Sequence, residues 1–224
     1  MQGVLEEGLE EILGTQTRIH ASGRTDAGVH ALGQVVHFKA DTDISPEELK
    51  TRLNDLLPED IRVLSAKEMP LSFHSRYDAT GKVYRYTILN SRIQGRYTAK
   101  STYVFSAELH LEKMRQAASY LVGTHDFSAF GVNRGREVNN PVRTIKRLDL
   151  RREGHYVFIE VEADGFLYKM VRSIVGTLIN VGRGKTQPEE IPAILESRDR
   201  CRAGATAPAH GLCLVEVKYP EEKS

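Results

Sequence analysis

The sequence predicts an α+β fold of mainly antiparallel strands, arranged as two helix–sheet halves of similar grammar. Segments of helical and of alternating periodicity follow one another twice along the 224 residues, enough for one large domain or two modest ones. Hydrophobic residues at 40% and charged residues at 27% suit a globular core, and neither a low-complexity linker nor an internal repeat interrupts the pattern.

The first half opens with Val4, Leu5, Leu9, Ile12 and Leu13 at helical spacing, ended by Gly14. Short strands are expected at 16–21 and 34–39, on either side of a Gly-rich loop. "SPEELKTRLNDLL" starts a second helix, with Ser45 as N-cap, Pro46 at the first helical position and Glu48 completing a capping box. A strand at 61–68 and a β-rich "GKVYRYTIL" at 81–89 follow. The second half reads helix 110–122, strands 143–152 and 155–163, helix 167–181, short helix 188–197 and strand 212–219. Turn chemistry in "DATG" places the boundary between halves 1–78 and 79–224.

The net charge of +1 is unevenly spread. Lys82 to Arg152 holds 14 basic and five acidic residues, and the remainder 17 basic and 25 acidic. Such segregation makes a phosphate-backbone partner plausible, although solvated strand edges explain most such runs. No apolar run nears the roughly 18 residues of a membrane span, and the acidic amphipathic N-terminus is neither a secretory signal nor a transit peptide. Two cysteines without C-x-x-C spacing argue against a disulfide framework or structural zinc, so a reducing, cytoplasmic setting is expected. The eight histidines lack H-x-x-x-H spacing, and no metal or cofactor is expected.

"ASGRTDAGVHA" at 21–31 carries the densest chemistry. Gly23 and Gly28 match G-x-x-x-x-G, but Val29 and His30 stand where a phosphate loop needs Lys and Ser or Thr, and Asp26 would face any phosphate. Two readings stay open: a turn in which Asp26 binds nearby amides, or a carboxylate kept ionised by arginine and poised as nucleophile or base.

"GRTDAGVHALGQVVHF" closely resembles the active-site motif of the TruA-type tRNA pseudouridine synthases. "FHSRYDATGKVYRYTI", "GTHDFSAF", "FLYKMVRSIVGTLINVGRG" and "APAHGLCLVEVKYP" resemble four further stretches of that family in the same order. The resemblance spans essentially the whole chain. It implies two ferredoxin-like (RRM-like) halves forming a largely antiparallel pseudouridine-synthase sheet flanked by helices. It also implies isomerisation of uridine to pseudouridine at positions 38–40 of the tRNA anticodon stem–loop, by a homodimer whose tRNA crosses both subunits.

By motif position, Asp26 is the catalytic aspartate and Tyr84 the ring that stacks on the flipped base. Tyr86, two residues on, shares the face of Tyr84, so periodicity alone does not separate them. Arg172 lies on a mostly apolar helix beside Val171, Ile174, Val175, Leu178 and Ile179 and needs a partner; Asp26 is the expected one, with a helix cap or an RNA phosphate as the alternative. Arg24 either holds Asp26 or faces RNA backbone, the latter being preferred. Leu212 is expected as an apolar wall beside the uracil or Tyr84, with core packing as its ordinary explanation. His125-Asp126 is read as a turn before Phe127.

Members of the family begin with a strand, a Gly-Trp loop and a segment like "TVQGxLE", whereas this chain starts at "MQGVLEE" and has no tryptophan. The first strand is therefore expected to be missing from the N-terminal half, at a cost in stability. A non-catalytic RNA-binding protein of the same fold is the second functional reading. A nucleotide hydrolase fails for want of phosphate and metal motifs.

Overall fold

Two unequal cores organise the chain in the computed structural model, which describes residues 1–91, 100–132 and 140–220. They belong to two compact units, Met1–Arg24 with Val35–Asp78, and Thr25–Gln34 with Ala79–Ser224.

In the first unit, α1 (Gln2–Leu13) ends at Gly14 in the left-handed region, where a side chain would be strained. Helix α2 (Pro46–Leu56) starts with Pro46 behind its expected N-cap: the Ser45 hydroxyl accepts the Glu48 N–H at 3.3 Å, a cap contributing about 1 kcal/mol, but the Glu48 carboxylate pairs with Arg52 instead of closing the capping box. Leu9, Ile19, Leu49, Leu53 and Leu57 form the core, with Ile61 and Val63 packed against it. Strands β1 (His20–Ala21) and β3 (Val36–His37) make a two-stranded antiparallel pair, shorter than the sequence suggests. Residues 61–68 form no strand. The apolar alternation there is real, since Ile61 and Val63 face the core, but a side chain takes the place of a ladder. Asn54 donates to the Val63 carbonyl at 2.9 Å and accepts the Val63 N–H at 2.8 Å. The Ile19 N–H likewise goes to the Glu6 carboxylate at 3.1 Å. Satisfied backbone needs no neighbouring strand.

The second unit is built on a largely antiparallel sheet. Its strands are β2 (His30–Ala31), β4 (Gly81–Asn90), β5 (Tyr103–Phe105), β6 (Gly123–Asp126), β7 (Val142–Glu153), β8 (Tyr156–Ala163) and β9 (Leu212–Lys218). The spatial order is β2-β9-β4-β8-β7-β6, with β5 also on β4; β2–β9 and β4–β5 are the parallel pairs. Helices α3 (Leu111–Ser119), α4 (Met170–Gly182) and α5 (Ile191–Ser197) share one core with the sheet, from Met114 and Ala118 through Val175 and Leu178 to Ile194.

The outward residues of the central strands carry charge. Arg85 on β4 pairs with Glu160 on β8 at 2.9 Å, Arg147 on β7 reaches both Glu160 and Asp149 at 2.7 Å, and Lys218 reaches Glu162 at 2.7 Å. Part of the basic excess between Lys82 and Arg152 is thus answered by acids of the same sheet. Arg92, Arg96, Arg134 and Arg136 lie outside the described residues.

Candidate active site

The Asp26 loop is shaped by backbone before side chains. The Val29 N–H donates to the Asp26 carbonyl at 3.0 Å, a four-residue turn with Gly28 at its third position and φ of +83°. That position requires positive φ, which glycine adopts without steric cost. Beyond the turn, β2 docks in parallel on β9, with His30 opposite Cys213 and Ala31 opposite Leu214. The Leu32 N–H extends the docking to the Leu214 carbonyl at 2.8 Å. A Cβ on Gly33 would stand 2.4 Å from the Val215 carbonyl oxygen, so the loop reaches β9 only because that residue is glycine.

Arg172 comes from the first turn of α4. Its Nη1 donates to Asp26 Oδ2 at 2.7 Å and its Nε to the Ala207 carbonyl, also at 2.7 Å. The Ala207 N–H returns a bond to the Arg172 carbonyl at 3.0 Å. The Asp26 and Arg172 side chains keep 18% and 14% of their accessible surface, so the pair is sheltered but not sealed. The planar fork, held at Nε by the Ala207 carbonyl, presents Nη1 to the carboxylate in a fixed direction. The segment holding Ala207 is itself clamped to α4. The Gly204 N–H donates to Thr177 Oγ1 at 2.8 Å, and a Cβ on Gly176 would fall 1.7 Å from the Ala205 carbonyl oxygen.

Tyr84 and Tyr86 share a face but not an environment. Tyr86 is fully buried and donates its hydroxyl to the Pro208 carbonyl at 2.8 Å, the ordinary arrangement of a core tyrosine. Tyr84 is half-buried, with its ring edge-on to Phe166 at 5.3 Å between centroids. Burial above all, then the nearby Asp26 carboxylate and Cys213, push its phenol up to about 12. The ring is neutral at physiological pH, and the carboxylate lies close enough to be felt by it. Leu212 is 5% exposed, lies opposite Tyr86 in the ladder and belongs to the main core. Arg24 is exposed, at the end of the stretch that precedes the loop. Asp126 accepts from the Ser128 N–H and hydroxyl at 2.9 and 2.6 Å and meets Arg198 at 2.9 Å, which makes it a turn-former in "GTHDFSAF".

Asp26, Arg172 and Tyr84 therefore gather in one unit from segments far apart in sequence. Sequence reasoning missed the Ala207 carbonyl and Phe166. A backbone acceptor has no residue signature, and Phe166 stood inside a quoted motif without being singled out. An oriented carboxylate beside a neutral aromatic ring can attack an electrophilic carbon, take a proton, or stabilise developing positive charge next to a stacked planar base.

Known proteins resemble this chain over most of its length. A family model described as tRNA pseudouridine synthase matches residues 1–78 and 117–220. The tRNA pseudouridine synthase A of Acetivibrio thermocellus is 47% identical over 219 residues, covering 98% of this chain and 89% of the relative. That of a Thermoanaerobacter species is 45% identical with the same coverage, and that of Thermotoga petrophila 43% identical over 221 residues, 98% of this chain and 89% of the relative.

Proposed function

The chain belongs to the tRNA pseudouridine synthase family, and from that premise we propose that Asp26 is the group through which it acts. It is an isomerase that converts uridine to pseudouridine in tRNA. The N1–C1′ bond breaks, the uracil turns, and C5 bonds to C1′. The proton leaving C5 is matched by one gained at N1, so the reaction is redox-neutral and consumes no nucleotide energy.

The observation that carries the assignment is the 2.7 Å bond from Arg172 to Asp26, made beside the half-buried ring of Tyr84. A uridine in a folded stem–loop must be unstacked before any side chain reaches its sugar or its C6, at a cost of a few kcal/mol. A tyrosine face returns about 1–3 kcal/mol by stacking, enough to offset much of that cost. Tyr84 takes this role as a neutral ring held edge-on by Phe166. Arg172 holds the Asp26 carboxylate aimed while the uracil is detached, turned and reattached through C5. Arg24, exposed, faces the RNA backbone, and Leu212 backs the pocket from the core. The target is the anticodon stem–loop at positions 38–40, and the enzyme acts in the cytoplasm as a homodimer. No helix among the described residues is long and apolar enough to cross a membrane.

Pseudouridine formation in tRNA, mapped by position, tests the assignment. Asp26→Ala is expected to abolish modification at 38–40 while tRNA binding persists. Turnover surviving in Asp26→Ala removes Asp26 from the chemistry. Binding without turnover in the unaltered chain leaves only an RNA-binding role.

A further inference from the structure

The segment from Gly204 to Leu212 carries the carbonyl that orients Arg172, and it is held almost residue by residue. The Gly204 N–H goes to Thr177 Oγ1 on α4 at 2.8 Å, and Arg200 Nη2 donates to Thr206 Oγ1 at 2.9 Å. Ala207 exchanges two bonds with Arg172, its carbonyl with Nε at 2.7 Å and its N–H with the backbone carbonyl at 3.0 Å. Leu212 then enters β9 opposite Tyr86 of β4. The anchors up to Ala207 come from α4 or from Arg200, and none of them reaches the sheet.

Tyr86 makes that link. Its ring is fully buried, and its hydroxyl donates to the Pro208 carbonyl at 2.8 Å. Proline has no N–H, so the carbonyl is the one backbone group through which position 208 can be hydrogen-bonded. The proline ring also fixes φ, which leaves a single free dihedral between the peptide plane holding the Ala207 carbonyl and the plane that Tyr86 holds. A short turn, Ala209–Gly211, follows. A Cβ on Gly211 would fall 2.5 Å from Tyr86 Cζ and 2.8 Å from its hydroxyl oxygen, so the turn lies directly on the hydroxyl end of the ring. Burial first, then Tyr103, hold the phenol above its ordinary value against the opposing charge of Arg172. The hydroxyl therefore stays a donor, within the field of that guanidinium. A phenylalanine would fill the same core volume; the oxygen adds a fixed direction for the backbone beside Ala207.

We propose that Tyr86 is a positioning residue: by holding the Pro208 carbonyl it fixes the neighbouring Ala207 carbonyl, and through it the plane of Arg172 that aims Asp26. The inference rests on Asp26 being the reacting carboxylate.

The test is Tyr86→Phe, which removes the oxygen and keeps the ring. Single-turnover pseudouridine formation, tRNA affinity and exchange of the Arg172 Nε proton, followed by NMR, are measured where the variant is fully folded. Ile88→Val, on the same buried face of β4 and opposite Tyr103 and Val157, is the control for lost core packing. Tyr86→Phe is expected to lower the rate about three- to tenfold, the size of one neutral hydrogen bond, with tRNA affinity unchanged and the Nε proton exchanging faster. Ile88→Val should leave rate and exchange as they are. In Arg172→Lys, which has no guanidinium to aim, adding Tyr86→Phe should cost little further rate, because groups acting through one contact are not additive. An unchanged rate in Tyr86→Phe, or a full further loss in the double variant, overturns the proposal. The Nε exchange is read without tRNA and does not depend on which group reacts. Faster exchange in Tyr86→Phe, when Asp26→Ala still turns over, keeps the hold of Tyr86 on Arg172 and overturns the catalytic assignment instead. Exchange unmoved by loss of the hydroxyl overturns the hold.

Discussion

Arginine at position 172 meets two demands that lysine cannot meet together. Its Nη1 binds Asp26 and its Nε binds the Ala207 carbonyl, each at 2.7 Å, so the carboxylate is aimed by a plane fixed at two points. A lysine ammonium keeps the charge but is a point on a flexible stem. Losing one bond of this kind corresponds to about 1.5–3 kcal/mol. Arg172→Lys is accordingly expected to lower the single-turnover rate roughly 10- to 100-fold, with KM little changed and the melting midpoint within a few degrees. A variant with unaltered rate would mean that the orientation of Asp26 is set elsewhere. The need for this pair was legible in sequence, because a guanidinium among Val171, Ile174 and Val175 requires a partner. The carbonyl that orients it was not, since any residue supplies one. Period two likewise put Tyr84 and Tyr86 on one face, and only the Pro208 carbonyl, satisfying the Tyr86 hydroxyl, tells the core ring from the half-exposed one.

At the scale of elements, the position of Arg172 depends on how closely the segment around Ala205 lies on α4. Gly176 and Gly204 allow that contact, and the Gly204 N–H to Thr177 Oγ1 bond fixes it. Gly176→Ala puts a methyl where the Ala205 carbonyl now lies, so the segment must lift and carry Ala207 away from Nε. The expected result is a loss of about 1–3 kcal/mol, the usual cost of overpacking, seen as a lower denaturant midpoint. A reduced rate should persist at temperatures where the variant is fully folded. A normal rate there would detach the segment from the site. The same scale shows where periodicity speaks and where it does not. Strands at 81–90, 142–153 and 156–163 follow their patterns because each is long and buried on one face, so alternation and backbone pairing agree, and the Arg172 helix does because it is a long apolar run buried along nearly its whole length. At 61–68 the alternation is present, but Asn54 satisfies Val63 and no ladder forms. Strands β2, β5 and β6, of two to four residues, are too short for any period to register.

For the molecule as a whole, stability is set by two cores of very different size. Among the described residues the second unit buries about thirty side chains in one cluster, while the first buries five. Less apolar area removed from water means a smaller margin, so the first unit should open before the second. Its response to acid follows from His37. The folded value lies below the ordinary 6.5, chiefly through burial and then the neighbouring His74, so at neutral pH both folded and unfolded forms are neutral and nothing is lost. As pH falls through about 6.5 the unfolded chain takes up the proton first, and the state that binds more protons gains. The first unit therefore weakens from about pH 6.5 downward until the folded imidazole also titrates. Residue-resolved hydrogen exchange at pH 7.5 and 5.5, corrected for intrinsic exchange rates, should show protection falling at Leu49 and Leu53 while Ile159 and Val161 in β8 hold. His37→Asn should shrink that difference, because its side chain takes no proton in either state. Equal losses in both units, or an acid sensitivity unchanged by His37→Asn, would mean that the first unit's response to acid has another source.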